Sequence, residues 1–178
     1  MTTSLQNTSL NDEVYEEENT QKNKFLTFHL AREDYGIEIE YVTEIICIQK
    51  ITEVPDLPDY VKGVINLRGK VIPVMDMRRR FHMQDRDYDD RTCIIVVDIS
   101  AAQIGLVVDE VREVVGIPED QIEPPPSNGK EGGRQYIKGI GKMNDEVKII
   151  LDVSRILFEE ELENLQENSA PSSDAQPG

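Results

Sequence analysis

Apolar residues recur along this chain in short runs bounded by Gly, Asp, Asn or Pro. Phe25-Leu26-Thr27-Phe28-His29-Leu30 partly alternates, and Gly36-Ile37-Glu38-Ile39 does so cleanly. Val71-Ile72-Pro73-Val74-Met75, Cys93–Ile99, Ile104–Val108 and Val147–Leu151 are β-branched runs. Alternation and β-branched runs of this length predict strands. Helical spacing is scarce. Pro58 near a first helical position and Gly63 at a plausible stop predict a helical turn over Leu57–Gly63. Asp76 is placed to cap a helix over Met77–His82. Asp152 is placed to cap a longer C-terminal one, with Val153, Ile156, Leu157, Phe158, Leu162 and Leu165 at helical spacing. The pattern predicts an all-β (mainly β) chain with short helices and a C-terminal helix.

The runs repeat. At an offset of 69, Phe25-Leu26-Thr27-Phe28 falls on Ile94-Ile95-Val96-Val97, and Gly36-Ile37-Glu38-Ile39 on Gly105-Leu106-Val107-Val108. Val42-Thr43-Glu44-Ile45-Ile46 falls on Val111-Arg112-Glu113-Val114-Val115 at the same offset. At an offset of 76, Tyr60-Val61-Lys62-Gly63-Val64 meets Tyr136-Ile137-Lys138-Gly139-Ile140, and Val71–Asp76 meets Val147–Asp152. The extra residues of the second copy are expected between Pro118 and Gln135. A module of roughly 60 residues and about five strands has the size of a small closed barrel. Such a module buries only about 60% of its unfolded surface and is marginal alone. The duplication therefore predicts two small β-barrels fused into one pseudo-symmetric unit.

Composition narrows the possible functions. The chain has 178 residues and a formal net charge of −16. That balance opposes a nucleic-acid partner, which needs a basic stripe, and equally an anionic membrane surface. No apolar run approaches a bilayer span, and the first residues show no secretory pattern, so a cytoplasmic setting without membrane insertion is expected. The acidity sits at the ends. Residues 1–22 hold Asp12, Glu13, Glu16, Glu17 and Glu18 against Lys22, and residues 159–178 hold six carboxylates and no base. Both are read as tails: 1–22 a disordered acidic tail, 159–178 an acidic helical extension ending in disorder.

Candidate chemistry is thin. Cys47 and Cys93 lie far apart within apolar stretches and are expected to be small buried hydrophobes. His29 and His82 stand in no metal-ligand spacing, and no nucleophile elbow, phosphate loop or zinc motif occurs. No catalytic residue, cofactor or metal is expected. The copies differ at one telling place. Asn66-Leu67-Arg68-Gly69 is matched by Lys142-Met143-Asn144-Asp145, so Arg68 is found in one copy only. A turn arginine beside apolar neighbours is a common interface anchor.

The run Tyr60-Val61-Lys62-Gly63-Val64-Ile65-Asn66-Leu67-Arg68-Gly69-Lys70-Val71-Ile72-Pro73-Val74-Met75-Asp76-Met77-Arg78 closely resembles the CheW family of bacterial chemotaxis coupling proteins. Tyr35-Gly36-Ile37 and Val42-Thr43-Glu44-Ile45 before it strengthen the likeness, which covers about residues 23–158. The resemblance implies two SH3-like five-stranded barrels without catalytic activity. It also implies a cytoplasmic adaptor, recruited to chemoreceptor arrays, that bridges the regulatory domain of the histidine kinase CheA to chemoreceptor cytoplasmic tips. In the family the first strand completes the second barrel. Barrel 1 is thus expected at about 31–90, and barrel 2 at about 91–158 plus strand 23–30. Carried over by position, the receptor-facing groove comprises Val42, Glu44, Ile45, Gly63 and Arg68, and the kinase-facing surface Val111 and Val114. The alternatives are a kinase regulatory domain or CheV-type coupler, and an SH3-like nucleic-acid or translation-factor module that the charge opposes.

Overall fold

Four two-residue hairpins organise the described residues, and the backbone at their tips shows why they turn. Arg68 (φ 51°) and Gly69 (φ 86°), Ser100 (φ 49°) and Ala101 (φ 66°), and Asn144 (φ 48°) and Asp145 (φ 64°) are left-handed at both central positions, and Ala31 (φ 55°) at the first. Positive φ at these positions matches the twist of the flanking strands. The structure, a computed structural model, describes residues 21–126 and 136–156. Its elements are β1 (Lys24–Leu30), β2 (Glu33–Glu38), β3 (Val42–Cys47), β4 (Val61–Leu67), β5 (Lys70–Asp76) and α1 (Met77–Arg80). They continue with β6 (Cys93–Ile99), β7 (Ala102–Val108), β8 (Glu110–Gly116), β9 (Ile122–Glu123), β10 (Ile137–Met143), β11 (Glu146–Leu151) and α2 (Val153–Ile156).

The strands form two mixed sheets of SH3-like character, ordered β3-β6-β7-β5-β4 and β8-β1-β2-β11-β10-β9. The duplication maps one order onto the other: β3 on β8, β6 on β1, β7 on β2, β5 on β11, β4 on β10. Each sheet contains one parallel pair, β5 with β7 and β2 with β11. These pairs join the two copies. The hairpin β1–β2 lies with β8–β11, and the hairpin β6–β7 lies with β3–β5. β1 lies in the second sheet together with β2, and β6 and β7 (93–108) lie in the first, so the sheets do not follow a division at 31–90 and 91–158. Contiguous halves fail because a tight hairpin moves as a unit.

The exchange explains the burial. One face of each exchanged hairpin lines its own barrel and the other meets the opposite sheet, so these strands are buried on both sides. Ile94, Ile95, Val96 and Val97 are all inaccessible. The largest core cluster joins Leu26, Phe28, Leu30 and Ile37 of one sheet to Ile95, Val97, Ile104 and Leu106 of the other. Ile65, Ile72, Val74, Ile94 and Val96 fill the first barrel, and Phe25, Val115, Ile117 and Ile150 the second. Thr27 is buried with its hydroxyl donating to the Glu113 carbonyl at 2.7 Å.

The expected helical turn over 57–63 is a turn followed by β4. Val61 donates to the Pro58 carbonyl at 2.9 Å and then pairs with Met75 in β5. The periodic apolar residues Val61, Gly63 and Ile65 alternate inward, which is strand spacing. The caps are as read: Asp76 accepts from the Arg78 and Arg79 amides at 2.9 and 3.3 Å, and Asp152 from the Ser154 amide at 3.1 Å. The tails and the helical continuation through Leu157, Phe158, Leu162 and Leu165 lie outside the described residues, apart from Gln21 and Lys22. The two cysteines are not buried: Cys47 is exposed and Cys93 partly so.

Candidate functional site

Arg68 occupies the first position of the β4–β5 turn, in the left-handed region that branched or long side chains seldom adopt. Asn66 supports the turn, its side-chain oxygen accepting from the Gly69 amide at 2.8 Å. The turn throws the guanidinium outward, 74% exposed, where its Nη2 donates to Glu44 Oε1 on β3. That hydrogen bond holds the guanidinium pKa above its ordinary value. Glu44 itself is only 24% exposed. The pair therefore fixes a partly screened carboxylate and a solvent-facing cation between strand and turn.

β3 is an edge strand, and a bulge between Val42 and Glu44 decides which way its side chains point. Val42 opposes Val97 and Ile45 opposes Ile95, two residues of the central core, so Val42 and Ile45 share one face. Glu44 opposes Val96, a residue of the first barrel's interior, and shares the other face with Ile46. Val42 is half-buried against the central core, whereas Ile45 is 43% exposed. The structure thus brings Glu44 and Arg68 into contact and places Val42 and Ile45 on the opposite face of the same edge.

Gly63 offers a partner no side chain. It sits at the β4 bulge with φ 152°, and a Cβ there would come within 2.1 Å of the Thr52 carbonyl oxygen. Thr52 and Val64 exchange amide hydrogen bonds at 2.8 Å in both directions. The glycine lets the 51–52 segment close the barrel. Gly139 does the same for β9, since a Cβ there would meet the Glu123 oxygen at 2.8 Å.

Val111 and Val114 of β8 are the duplicated counterparts of Val42 and Ile45. Val111 pairs with Phe28 and packs against the central core, so it is chiefly a packing residue. Val114 is 51% exposed. Val71 and Val147, also counterparts of each other, are 46% and 53% exposed. Sequence reading placed them within strands without seeing that they face outward. Each is the second residue of its strand, just before the buried run begins. Among the described residues the large exposed hydrophobics therefore come in two symmetry-related sets, and the Glu44–Arg68 pair marks only one of them, because Asn144 (φ 48°) holds the matched turn position. Paired exposed apolar positions beside a fixed charge suit protein docking. No group of three or more potential metal ligands occurs among the described residues.

A buried ion pair ties α1 to the β7–β8 junction and the β1–β2 turn. Arg78 of α1 donates through Nε and Nη2 to both Asp109 oxygens at 2.7 and 2.6 Å, and the Ala31 amide donates to Asp109 at 2.9 Å. Burial alone would raise the Asp109 carboxyl, but the Arg78 guanidinium and the Ala31 amide outweigh it and hold it below the usual range.

The sequence matches the family model described as CheW-like domain over residues 24–161. It is 36% identical to chemotaxis protein CheW of Klebsiella aerogenes over 139 residues, 78% of this chain and 84% of that protein. It is 33% identical to chemotaxis protein CheW of Bacillus subtilis over 137 residues, 77% of this chain and 88% of that one. Its fold is similar to the crystal structure of the scaffolding protein TtCheW from Thermoanaerobacter tengcongensis. The TM-score is 0.70 and the identity 39%, over 75% of this chain and 91% of that structure.

Proposed function

The chain belongs to the CheW family, and from that premise we propose that it is a non-enzymatic chemotaxis adaptor. It couples the regulatory domain of the kinase CheA to the cytoplasmic tips of chemoreceptors and so brings kinase activity under receptor control. It acts in the cytoplasm, recruited to receptor arrays. No helix among the described residues is long and apolar enough to cross a membrane, in keeping with recruitment through partners.

The observation that carries this reading is the Glu44–Arg68 pair, across the β3 edge from exposed Ile45, present on one sheet and missing from its duplicate. Two barrels of one fold with different surface chemistry suit two different partners. The receptor-facing groove is assigned to the β3 edge and the β4–β5 turn, with Glu44 and Arg68 on one face, Val42 and Ile45 on the other, and Gly63 holding the backbone beneath. The kinase-facing surface is assigned to β8, with Val114 as its exposed contact and Val111 supporting it. The test is co-sedimentation with CheA and receptor fragments, followed by receptor-dependent kinase activation in the reconstituted complex. Loss of the charge-assisted contacts of Arg68 should weaken receptor binding by roughly tenfold or more in Arg68→Ala. Asn144→Ala should bind like the unaltered chain. If Arg68→Ala binds receptor and supports activation fully, the groove lies elsewhere.

A further inference from the structure

The two cysteines, far apart in sequence, face each other. Cys47 ends β3, Cys93 begins β6, and they are direct partners in the antiparallel register. Opposed residues in such a pair have Cα atoms about 4.5–5.5 Å apart, within the roughly 4.4–6.8 Å that a disulfide spans. Cross-strand partners project from the same face of a sheet, so the thiols stand side by side. Cys47 is exposed, and Cys93 is partly covered, its Sγ donating to the Arg91 carbonyl at 3.3 Å.

We propose that Cys47 and Cys93 form a modification site, a dithiol that hydrogen peroxide converts to a reversible cross-strand disulfide. The exposed Cys47 sulfur attacks the peroxide O–O bond, becoming a sulfenic acid as one water leaves. Cys93 Sγ then attacks that sulfur, the S–S bond forms, and the sulfenic oxygen leaves as a second water. Two thiols are oxidised and one peroxide is reduced. Cys93 is not the thiol that reacts first: burial pushes its pKa up, which keeps it protonated and slow toward peroxide and leaves the exposed Cys47 to meet the oxidant.

The duplication indicates that the thiols are not there for folding. Moving the pair by the repeat offset gives Gly116 and Lys24, which are likewise register partners at the corresponding corner of the other sheet. One corner of the fold is closed by Lys24 and Gly116, the other by two thiols. The disulfide would tie the edge strand that carries Val42, Glu44 and Ile45 to its neighbour. The inference does not depend on the adaptor reading, and its failure would leave that reading as it stands.

The experiment is a titration of the full chain with hydrogen peroxide, followed by Ellman's reagent and peptide mapping without reductant. Both thiols should be lost together, a Cys47–Cys93 linked peptide should appear in monomeric protein, and dithiothreitol should restore both. Cys93→Ser should halt at a Cys47 sulfenic acid that dimedone traps, and Cys47→Ser should leave Cys93 largely unreacted. Thermal unfolding of both variants in reductant should match the unaltered chain, which shows that the chemistry is read on folded protein. Thiols lost separately, without the linked peptide, or crosslinks only between chains, would overturn the proposal.

Discussion

Arg68 shows how one side chain can be costly to place and still be present. A non-glycine residue in the left-handed region gives up backbone energy that Asn or Gly would not. The duplicate of this turn has Asn144 and Asp145, better suited to it. We expect Arg68→Asn to leave Tm unchanged or slightly higher while receptor binding falls as in Arg68→Ala. A fall in Tm would show that the guanidinium holds the fold. Asp109 poses the opposite case. With Arg78 and Asp109 only 14% and 9% exposed, removing one charge strands the other, and Asp109→Asn should cost about 3 kcal/mol at neutral pH. Because the folded carboxyl titrates below its unfolded value of about 3.9, its contribution is complete above that pH and is lost as pH falls further. Tm measured from neutral to acid pH should therefore drop less steeply in Asp109→Asn than in the unaltered chain. Parallel curves would remove Asp109 from the cause of acid lability. Of these residues, the sequence exposed Arg68 through the mismatch of the copies, but it showed no sign that Arg78 and Asp109 meet, since 31 residues separate them.

At the scale of the element, strands were easier to read than the turns that close them. β6 and β7 are legible because β-branched runs buried on both faces have no polar positions to spare. The sequence predicts a helical turn over Leu57–Gly63, where β4 in fact begins, because Pro58 and Gly63 imitate helix punctuation. In the fold Gly63 is a strand residue whose missing side chain admits Thr52. The two glycines of this hairpin separate the effects. Gly63→Ala drives a Cβ into a backbone oxygen at 2.1 Å and should destabilise the protein by about 3 kcal/mol. Gly69→Ala meets nothing within 4 Å and should cost only about 1 kcal/mol, the strain of its positive φ. Denaturant unfolding of the two variants checks this; equal losses would mean that Gly63 matters for conformation alone.

At the scale of the whole molecule, the copies are fastened by exchange. Each sheet takes a hairpin from the other copy, and the pseudo-twofold relation runs between α1 and α2. Arg80 Nε donates at 2.8 Å to the carbonyl of Ile156, its own duplicate position, and the guanidinium lies 4.9 and 5.6 Å from the rings of Tyr60 and Tyr136, also duplicates. The amides of Asp76 and Asp152 each donate to the preceding duplicate tyrosine carbonyl at 2.7 Å. A fragment cut between α1 and β6 keeps its hairpin but loses the sheet that hairpin belongs to. Fragments 1–92 and 93–178 should each lack a cooperative thermal transition and regain one when mixed. A cooperative transition in either alone would refute the dependence.

The amino-acid sequence by itself determined the strand content, the duplication, the two aspartate caps, the arginine present in only one copy and, through the ordered string from Tyr60 to Arg78, the family. These are local patterns or strings, and short-range physical chemistry is enough to set them. The tertiary structure decided which hairpin joins which sheet, that Val111 packs inward while Val114 faces out, that Glu44 meets Arg68, and that two distant cysteines are neighbours. The reason is the repeat. Two copies with the same apolar pattern can pair within or across the duplication with equal local satisfaction. Only the closure of the whole chain, burying both exchanged hairpins on both faces, selects the arrangement across the copies.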